Sequence, residues 1–318
     1  MPGRERSVAS RKDGGARPGA VGGVSAATAS EVGPVPALRV ADVTVRFSGV
    51  TAMNAVSFTV APGTIYAVIG PNGAGKSTCF NVISGVYAAT DGAVFLGERE
   101  ISGLRPHRIA ALGVGRAFQN IALSKTQSVL DNLMLGRHHL TKAGFLSTGM
   151  GWRTATKERS RHAARVQEIA EFLGLADKLH GPAGLLSYGD QKRVEMARAL
   201  AMEPSVLLLD EPVAGMNADE SAQMATAITS VRDTLGISVL LVEHDMGLVM
   251  QISDRITVLD FGRLIAEGTP EQVQTNPAVI RAYLGSGDDA EEDDVDDTTE
   301  AAPRPADTHH NTSTEATS

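Results

Sequence analysis

The fold class this sequence predicts is α/β, and three stretches predict it. Tyr66-Ala67-Val68-Ile69-Gly70-Pro71-Asn72-Gly73-Ala74-Gly75-Lys76-Ser77-Thr78 reads as a strand, a glycine-rich turn and a helix start. Gly70, Gly75, Lys76 and Ser77 fill the pattern G-x-x-x-x-G-K-[ST], with the apolar run from Ile65 to Ile69 ahead of it. Val206-Leu207-Leu208-Leu209-Asp210 and Ile237-Ser238-Val239-Leu240-Leu241-Val242 are short apolar runs followed by carboxylates, as buried parallel strands with ligand-facing C-terminal edges are.

The glycine-rich turn is a phosphate cradle. Glycines let successive backbone N–H groups converge on phosphate oxygens, Lys76 reaches the β and γ phosphates, and the Ser77 hydroxyl is placed to ligate Mg²⁺. Gly70, Pro71, Asn72, Gly73, Ala74, Gly75, Lys76, Ser77 and Thr78 are therefore the candidate phosphate-binding residues.

Composition limits what surrounds this loop. The chain has 318 residues, 42% hydrophobic and 21% charged, as one large α/β domain with appendages has. No apolar run approaches the roughly 18 to 20 residues of a membrane span, and no signal-peptide segment opens the chain, so a cytoplasmic location is expected. The single cysteine, Cys79, excludes an internal disulfide and reads as a small buried helix residue.

The net charge of −8 is a property of the ends. From Asp288 onward eleven acidic residues face the single base Arg304, a net of −10, whereas the first 37 residues carry +2 and the body sums to zero. A neutral body offers no basic footprint for nucleic acid. Residues 1–36 and 286–318 are too poor in apolar side chains to fold alone and are expected to be disordered tails.

Within the body, Leu38 to Phe47 and Val56 to Val60 alternate apolar and polar residues, the pattern of half-exposed antiparallel strands. Phe47 is a candidate platform for stacking an adenine ring, and a core phenylalanine is the reading that periodicity leaves equally open. After the Lys76 helix come a turn at Gly92, a strand at Val94 to Leu96, and the stretch Gly113 to Asn120, which contains Gln119.

Residues 121–185 turn helical, with Val129, Leu133 and Leu135 in one segment and Val166, Ile169, Phe172 and Leu173 in another. A loop from Thr141 to Thr154, holding the only tryptophan, Trp152, is expected to interrupt this inserted helical subdomain. His138 and His139 lack companions at metal-ligand spacing and read as surface residues.

Leu185-Leu186-Ser187-Tyr188-Gly189-Asp190 then leads into a helix, a second anion-seeking helix start with Ser187 as its cap. One nucleotide needs one cradle, so Ser187 and Gly189 are expected to meet a nucleotide held by another subunit. Asp210 is placed to hold Mg²⁺, directly or through water. Glu211 is placed to polarise the attacking water, the one proton transfer that phosphoryl transfer to water asks of a protein. His244, after the next strand, is a candidate γ-phosphate contact.

These motifs together resemble the ATP-binding subunits of ABC transporters, over about Leu38 to Gly285. In that resemblance Gly70 to Thr78 is the Walker A loop, Gln119 the Q-loop glutamine, Leu186 to Asp190 the signature, Val206 to Asp210 Walker B with Glu211 behind it, and His244 the switch histidine. Phe118-Gln119-Asn120, Leu186-Ser187-Tyr188-Gly189, Ala214-Gly215-Met216-Asn217 and the end from Gly268-Thr269-Pro270 to Ala282-Tyr283-Leu284-Gly285 are similar to the subunit serving branched-chain amino acid uptake. Tyr188 and Asp190 stand where Gly and Gln are commonest, and Asn217 where an aspartate is usual.

The resemblance implies an ATP- and Mg²⁺-dependent ATPase with Glu211, His244 and Gln119 catalytic, Gln119 also sensing the metal. It implies a head-to-tail dimer with a second ATP-binding subunit, like or sister, in which Ser187 and Gly189 close over the partner's ATP. Transmembrane permease subunits, and through them a solute-binding protein, are the implied partners, with this chain on the inner face of the membrane. An importer for urea, amides or another small solute is the alternative. A soluble ABC ATPase acting on DNA or ribosomes would show coiled-coil heptads or a second cassette, and a P-loop kinase or GTPase would lack the Ser187 signature.

Overall fold

The computed structural model describes residues 35–117, 121–140 and 152–284, with the side chains of His139 and of residues 152–156 left out. Nearly all of both expected tails, Gln119 with its neighbours Phe118 and Asn120, and most of the expected loop from Thr141 lie outside the described residues.

The first sheet is antiparallel, in the order β2-β1-β4-β5, and is built from β1 (Leu38–Phe47), β2 (Val50–Val60), β4 (Asp91–Leu96) and β5 (Arg99–Glu100). Alternation dictates it. Val40, Val43 and Val45 turn inward with Met53, Val56 and Phe58 of the paired strand, and bulges around Ala41 to Thr44 keep the apolar set on one face.

The second sheet has the order β10-β9-β3-β8-β7-β6. Its strands are β3 (Ile65–Ile69), β6 (Val114–Ala117), β7 (Val206–Asp210), β8 (Ser238–Val242), β9 (Arg255–Asp260) and β10 (Arg263–Gly268). All neighbours pair in parallel except β9 and β10, which form an antiparallel edge hairpin. Every residue of β3, β7 and β8 is buried, which explains why their sequences are continuous apolar runs.

Period two divides this sheet between two cores. Ile65, Ala67, Ile69, Leu207, Leu209, Val239 and Leu241 face one core, filled by helices. Those helices are α3 (Val129–Gly136), α4 (Trp152–Phe172), α5 (Tyr188–Leu200), α6 (Ala218–Leu235), α7 (Met246–Ile252), α8 (Pro270–Gln274) and α9 (Pro277–Leu284). Tyr66, Val68, Val206, Leu208, Leu240 and Val242 face the other core, shared with α1 (Lys76–Ile83), α2 (Pro106–Ala111) and the antiparallel sheet.

Three local expectations change. The helix α4 begins at Trp152, so the expected loop ends before Thr154. The strand read at Val94 begins at Asp91, because Gly92 takes a positive φ inside the pairing with β1 and does not end it. Leu135 is 56% exposed while Val129 and Leu133 are buried. Four residues of helix return to the same face and six do not, so the third residue of that set, Leu135, points outward.

Candidate nucleotide-binding site

The phosphate loop leaves the C-terminal end of β3, between β8 and β9, and runs directly into α1. It has no freedom to bear side chains at its two close approaches. A Cβ on Gly70 would sit 2.1 Å from the Leu259 carbonyl oxygen, and one on Gly75, at φ +98°, 2.6 Å from that of Ala52. The loop is also stapled to the β9–β10 hairpin, since the N–H of Gly262 donates to the Ala74 oxygen at 3.0 Å and the Gly262 oxygen accepts from Asn54 at 2.8 Å. Gly73 faces open space, and Asn72 and Ser77 are exposed.

Lys76 Nζ donates to the Gly70 and Pro71 carbonyl oxygens at 2.6 and 2.9 Å, so the ammonium is folded over its own loop. Burial pulls its pKa down, and the Glu211 carboxylate opposes that shift. The first amides of α1 have no partner inside the helix, and Gly75 caps it without a side-chain bond. Converging amides and a lysine suit the phosphate oxygens of a nucleotide.

Asp210 and Glu211 stand at the end of β7. Asp210 is buried and accepts a bond from an Arg116 guanidinium nitrogen at 2.8 Å through Oδ2. Glu211 lies in the left-handed region, φ +48°, where few non-glycine residues sit, held by its N–H bond to the Val242 oxygen at 2.9 Å. That bond ties Glu211 to the end of β8, one residue before Glu243 and two before His244.

Glu243 is wholly buried, and its carboxylate gathers the N–H groups of Val213 (2.9 Å), His244 (3.1 Å) and Asp245 (3.5 Å). Burial pushes its pKa above the usual carboxylate range against the pull of those amides. One side chain thereby positions both the turn after Glu211 and the turn carrying His244, whose imidazole is 62% exposed. Glu243 carries no motif signal; a carboxylate closing an apolar strand is the only mark it leaves in the sequence.

Ser187 caps α5, its hydroxyl accepting from the Asp190 N–H at 3.1 Å, as the serine-before-helix pattern predicts. Gly189 lies against Glu220 of α6, so close that a Cβ there would be 2.7 Å from the carboxylate oxygen. On the inner face of α5, buried Lys192 places Nζ 3.5 Å from the Glu211 carbonyl oxygen. Burial lowers the Lys192 pKa, and the carboxylates of Glu243, Glu195, Glu211 and Asp210 raise it, which marks an internal cation facing the acidic end of β7. Lys192, Glu195 and Asp210 also line a cavity with about 10 Å³ for the centre of a water molecule. Glu195 Oε1 accepts the Ala122 N–H at 2.8 Å and Arg198 donates to the Ala122 oxygen at 2.9 Å, clamping the segment that enters α3. Lys192 and Glu195 follow Tyr188 by four and seven residues, the helical repeat that could have singled them out.

Phe47 ends β1 and is 42% exposed, with its ring 5.2 Å from that of Tyr87 in an edge contact, so it is not a core residue. Ser187 is exposed at the cap of α5, and Gly189 is buried in its first turn. Cys79 is buried in α1, and burial pushes its thiol up to about 12. His138 is exposed. Among the described residues no group of three or more His, Cys, Asp or Glu gathers as a metal site, and no helix is long and apolar enough to cross a membrane.

A family model described as ABC transporter matches residues 53–214, the span from β2 to the turn after Glu211. The chain belongs to the ABC transporter family. A second model, described as branched-chain amino acid ATP-binding cassette transporter, matches residues 263–289 of this cassette. The cassette is 41% identical over 250 residues to the high-affinity branched-chain amino acid transport ATP-binding protein LivG of Escherichia coli K12, covering 79% of this chain and 98% of that one. It is 42% identical over 254 residues to the corresponding BraF of Pseudomonas aeruginosa, with the same coverage. Among solved structures it is similar to an ATP-binding cassette of an ABC transporter in its ADP conformation, at 30% identity and a TM-score of 0.69, covering 79% of this chain and 99% of the other. A nucleotide-free cassette gives the same TM-score at 29% identity. The expected ABC-type α/β fold is thus the fold of this ATP-binding cassette.

Proposed function

We propose that this chain is the ATP-hydrolysing subunit of an importer for branched-chain amino acids, peripheral on the cytoplasmic face of the membrane. The observation that carries the chemistry is that the helix starting at the phosphate loop is joined to the acidic end of β7: Arg116 bonds both Asn81 of α1 and Asp210 of β7, and burial lowers the Lys76 pKa against the opposing Glu211 carboxylate. The branched-chain assignment rests on the relatives' own activity and on the match to the 263–289 segment.

The loop amides and Lys76 bind the phosphates of ATP, and Phe47 offers its exposed ring to the adenine. Mg²⁺ fits the residues present, because the Ser77 hydroxyl and the Asp210 carboxylate are hard oxygen donors, and this ion takes one or two such groups together with substrate phosphates and waters. When bound it neutralises charge on the phosphates. Gln119 is a third candidate for contact with it. Glu211 polarises the attacking water, and His244, presented by the Glu243-held turn, contacts the γ-phosphate. Ser187 and Gly189 close over the ATP of a second ATP-binding subunit in a head-to-tail dimer, and that closure moves the transmembrane permease subunits, fed by a solute-binding protein.

Co-purification with its membrane partners, followed by transport in proteoliposomes, tests this reading. ATP-dependent accumulation of labelled leucine, isoleucine or valine is the expected result. Accumulation of urea or a short amide in place of those amino acids overturns the substrate assignment. Association with no membrane protein at all overturns the transport role.

A further inference from the structure

The reaction as described assigns no role to Arg116, yet this residue joins the elements that carry the metal-holding groups. It is the third residue of β6, and its side chain is 13% exposed. One guanidinium nitrogen donates to Asp210 Oδ2 at 2.8 Å. The other donates to Asn81 Oδ1 at 2.9 Å and to Ser84 Oγ at 2.7 Å, and the guanidinium carbon lies 5.8 Å from the centre of the Phe80 ring. Asn81, Phe80 and Ser84 belong to α1 or its C-cap, the helix whose second residue is Ser77. Asp210 ends β7. A single planar fork therefore spans from the helix that presents the Ser77 hydroxyl to the strand that presents the Asp210 carboxylate.

We propose that Arg116 is a positioning residue for the Mg²⁺ site, a brace that fixes the spacing of Ser77 and Asp210 and leaves Asp210 Oδ1 to face the ion. The inference rests on the reading of Ser77 and Asp210 as Mg²⁺-holding residues. Geometry suits arginine alone: three acceptors in two directions need a rigid fork, and a lysine presents one point of charge. Groups that orient metal ligands typically control metal affinity by 10- to 100-fold.

The sign of the effect separates bracing from simple electrostatics. If Arg116 only contributed charge, removing a cation beside Asp210 would leave the site more negative and tighten Mg²⁺. A brace predicts the reverse.

The test measures binding of a fluorescent ATP analogue to the purified full chain, titrated with Mg²⁺ and repeated in EDTA. Wild type, Arg116→Met, Arg116→Lys and the double variant Asn81→Ala/Ser84→Ala are compared, with melting followed for each. Arg116→Met is expected to raise the Mg²⁺ half-saturation about 10- to 100-fold, with metal-free nucleotide affinity held within about 3-fold. Arg116→Lys restores only a minor part, because it keeps the charge and loses the fork. The double variant keeps the Arg116–Asp210 pair but frees it from α1, and it should raise the half-saturation several-fold.

Unchanged or tighter Mg²⁺ binding in Arg116→Met overturns the brace, as does an equal loss of metal-free and Mg²⁺-dependent affinity. Should Arg116→Met fail to fold, a double variant indistinguishable from wild type in Mg²⁺ dependence overturns it instead. A wild-type chain whose nucleotide binding ignores Mg²⁺ removes the metal assignment itself, an outcome distinct from failure of the brace.

Discussion

Glu220 accepts the backbone N–H of Gly189 at 3.2 Å, so a carboxylate from the first turn of α6 sits at the start of α5. Its other oxygen receives the Asn217 N–H at 3.4 Å while the Asn217 side chain accepts from the Glu220 N–H at 2.9 Å, closing a capping box. Two helix starts, one following Ser187 and the other following Asn217, are thus satisfied by one acidic side chain, with the negative charge at the end of each dipole that favours it.

Glu220→Ala removes both contacts at once and is expected to cost about 0.5–2 kcal/mol of stability, the range for a lost cap. Chemical denaturation with an unchanged m value checks it. A midpoint equal to wild type would mean that water replaces the carboxylate without loss.

Glu211→Gln keeps the side-chain shape and the N–H bond to Val242, so nucleotide binding should persist. Removing this carboxylate should lower steady-state hydrolysis by about 10²- to 10⁴-fold, the loss expected of a general base. Hydrolysis within a few-fold of wild type would assign the base elsewhere.

If the chain works as a head-to-tail homodimer, Lys76→Ala and Ser187→Arg, each made alone, are expected to damage both composite sites. A mixed dimer collects both lesions in one site and leaves the other whole. Mixing the two inactive variants is therefore expected to recover a measurable part of the ATPase rate, read against each variant alone. No recovery would indicate a sister subunit as the natural partner or a requirement for both sites.

Asp190 predicts a pH effect. Burial pushes its pKa up, but the hydrogen bond from Lys178 at 2.6 Å and the charge of Arg193 outweigh it and hold the group below its ordinary 3.8. A depressed carboxylate contributes stability that is fully present above its unfolded value and is lost as pH falls from there through the folded value. Asp190→Asn should thus cost about 1.5–3 kcal/mol at neutral pH, as a lost charged hydrogen bond does, and should flatten the loss of stability below about pH 4. Thermal melts of both proteins across that range decide it: parallel profiles would show the pair contributes nothing.

What the sequence makes legible is what is local. The glycines of the phosphate loop, Ser187 before its helix and the apolar runs of β3, β7 and β8 each carry their own pattern within about a dozen residues. Arg116 and Asp210 are 94 positions apart, and Gly189 and Glu220 31 apart, so no window contains either pair. Asp190 stands in the sequence as a departure from glutamine, and of its two basic partners Arg193 is local while Lys178 lies twelve residues upstream across a turn. Glu243 is similar: its three amide partners come from two turns that only the parallel pairing of β7 with β8 brings together.

The phosphate loop is read out early in the chain and completed late. Its strand β3 pairs with β8 and β9, and its backbone is pinned to Gly262, so the strand partners of β3 and this anchor of its loop all lie between residues 239 and 262. During synthesis the ribosome must deliver nearly the whole cassette before that loop acquires its final shape, and contacts of such long sequence separation close slowly. A nascent chain that already displays Gly70 to Thr78 still lacks β8, β9 and the Gly262 anchor that hold that loop, so nucleotide is expected to stabilise chains made past the β9–β10 hairpin.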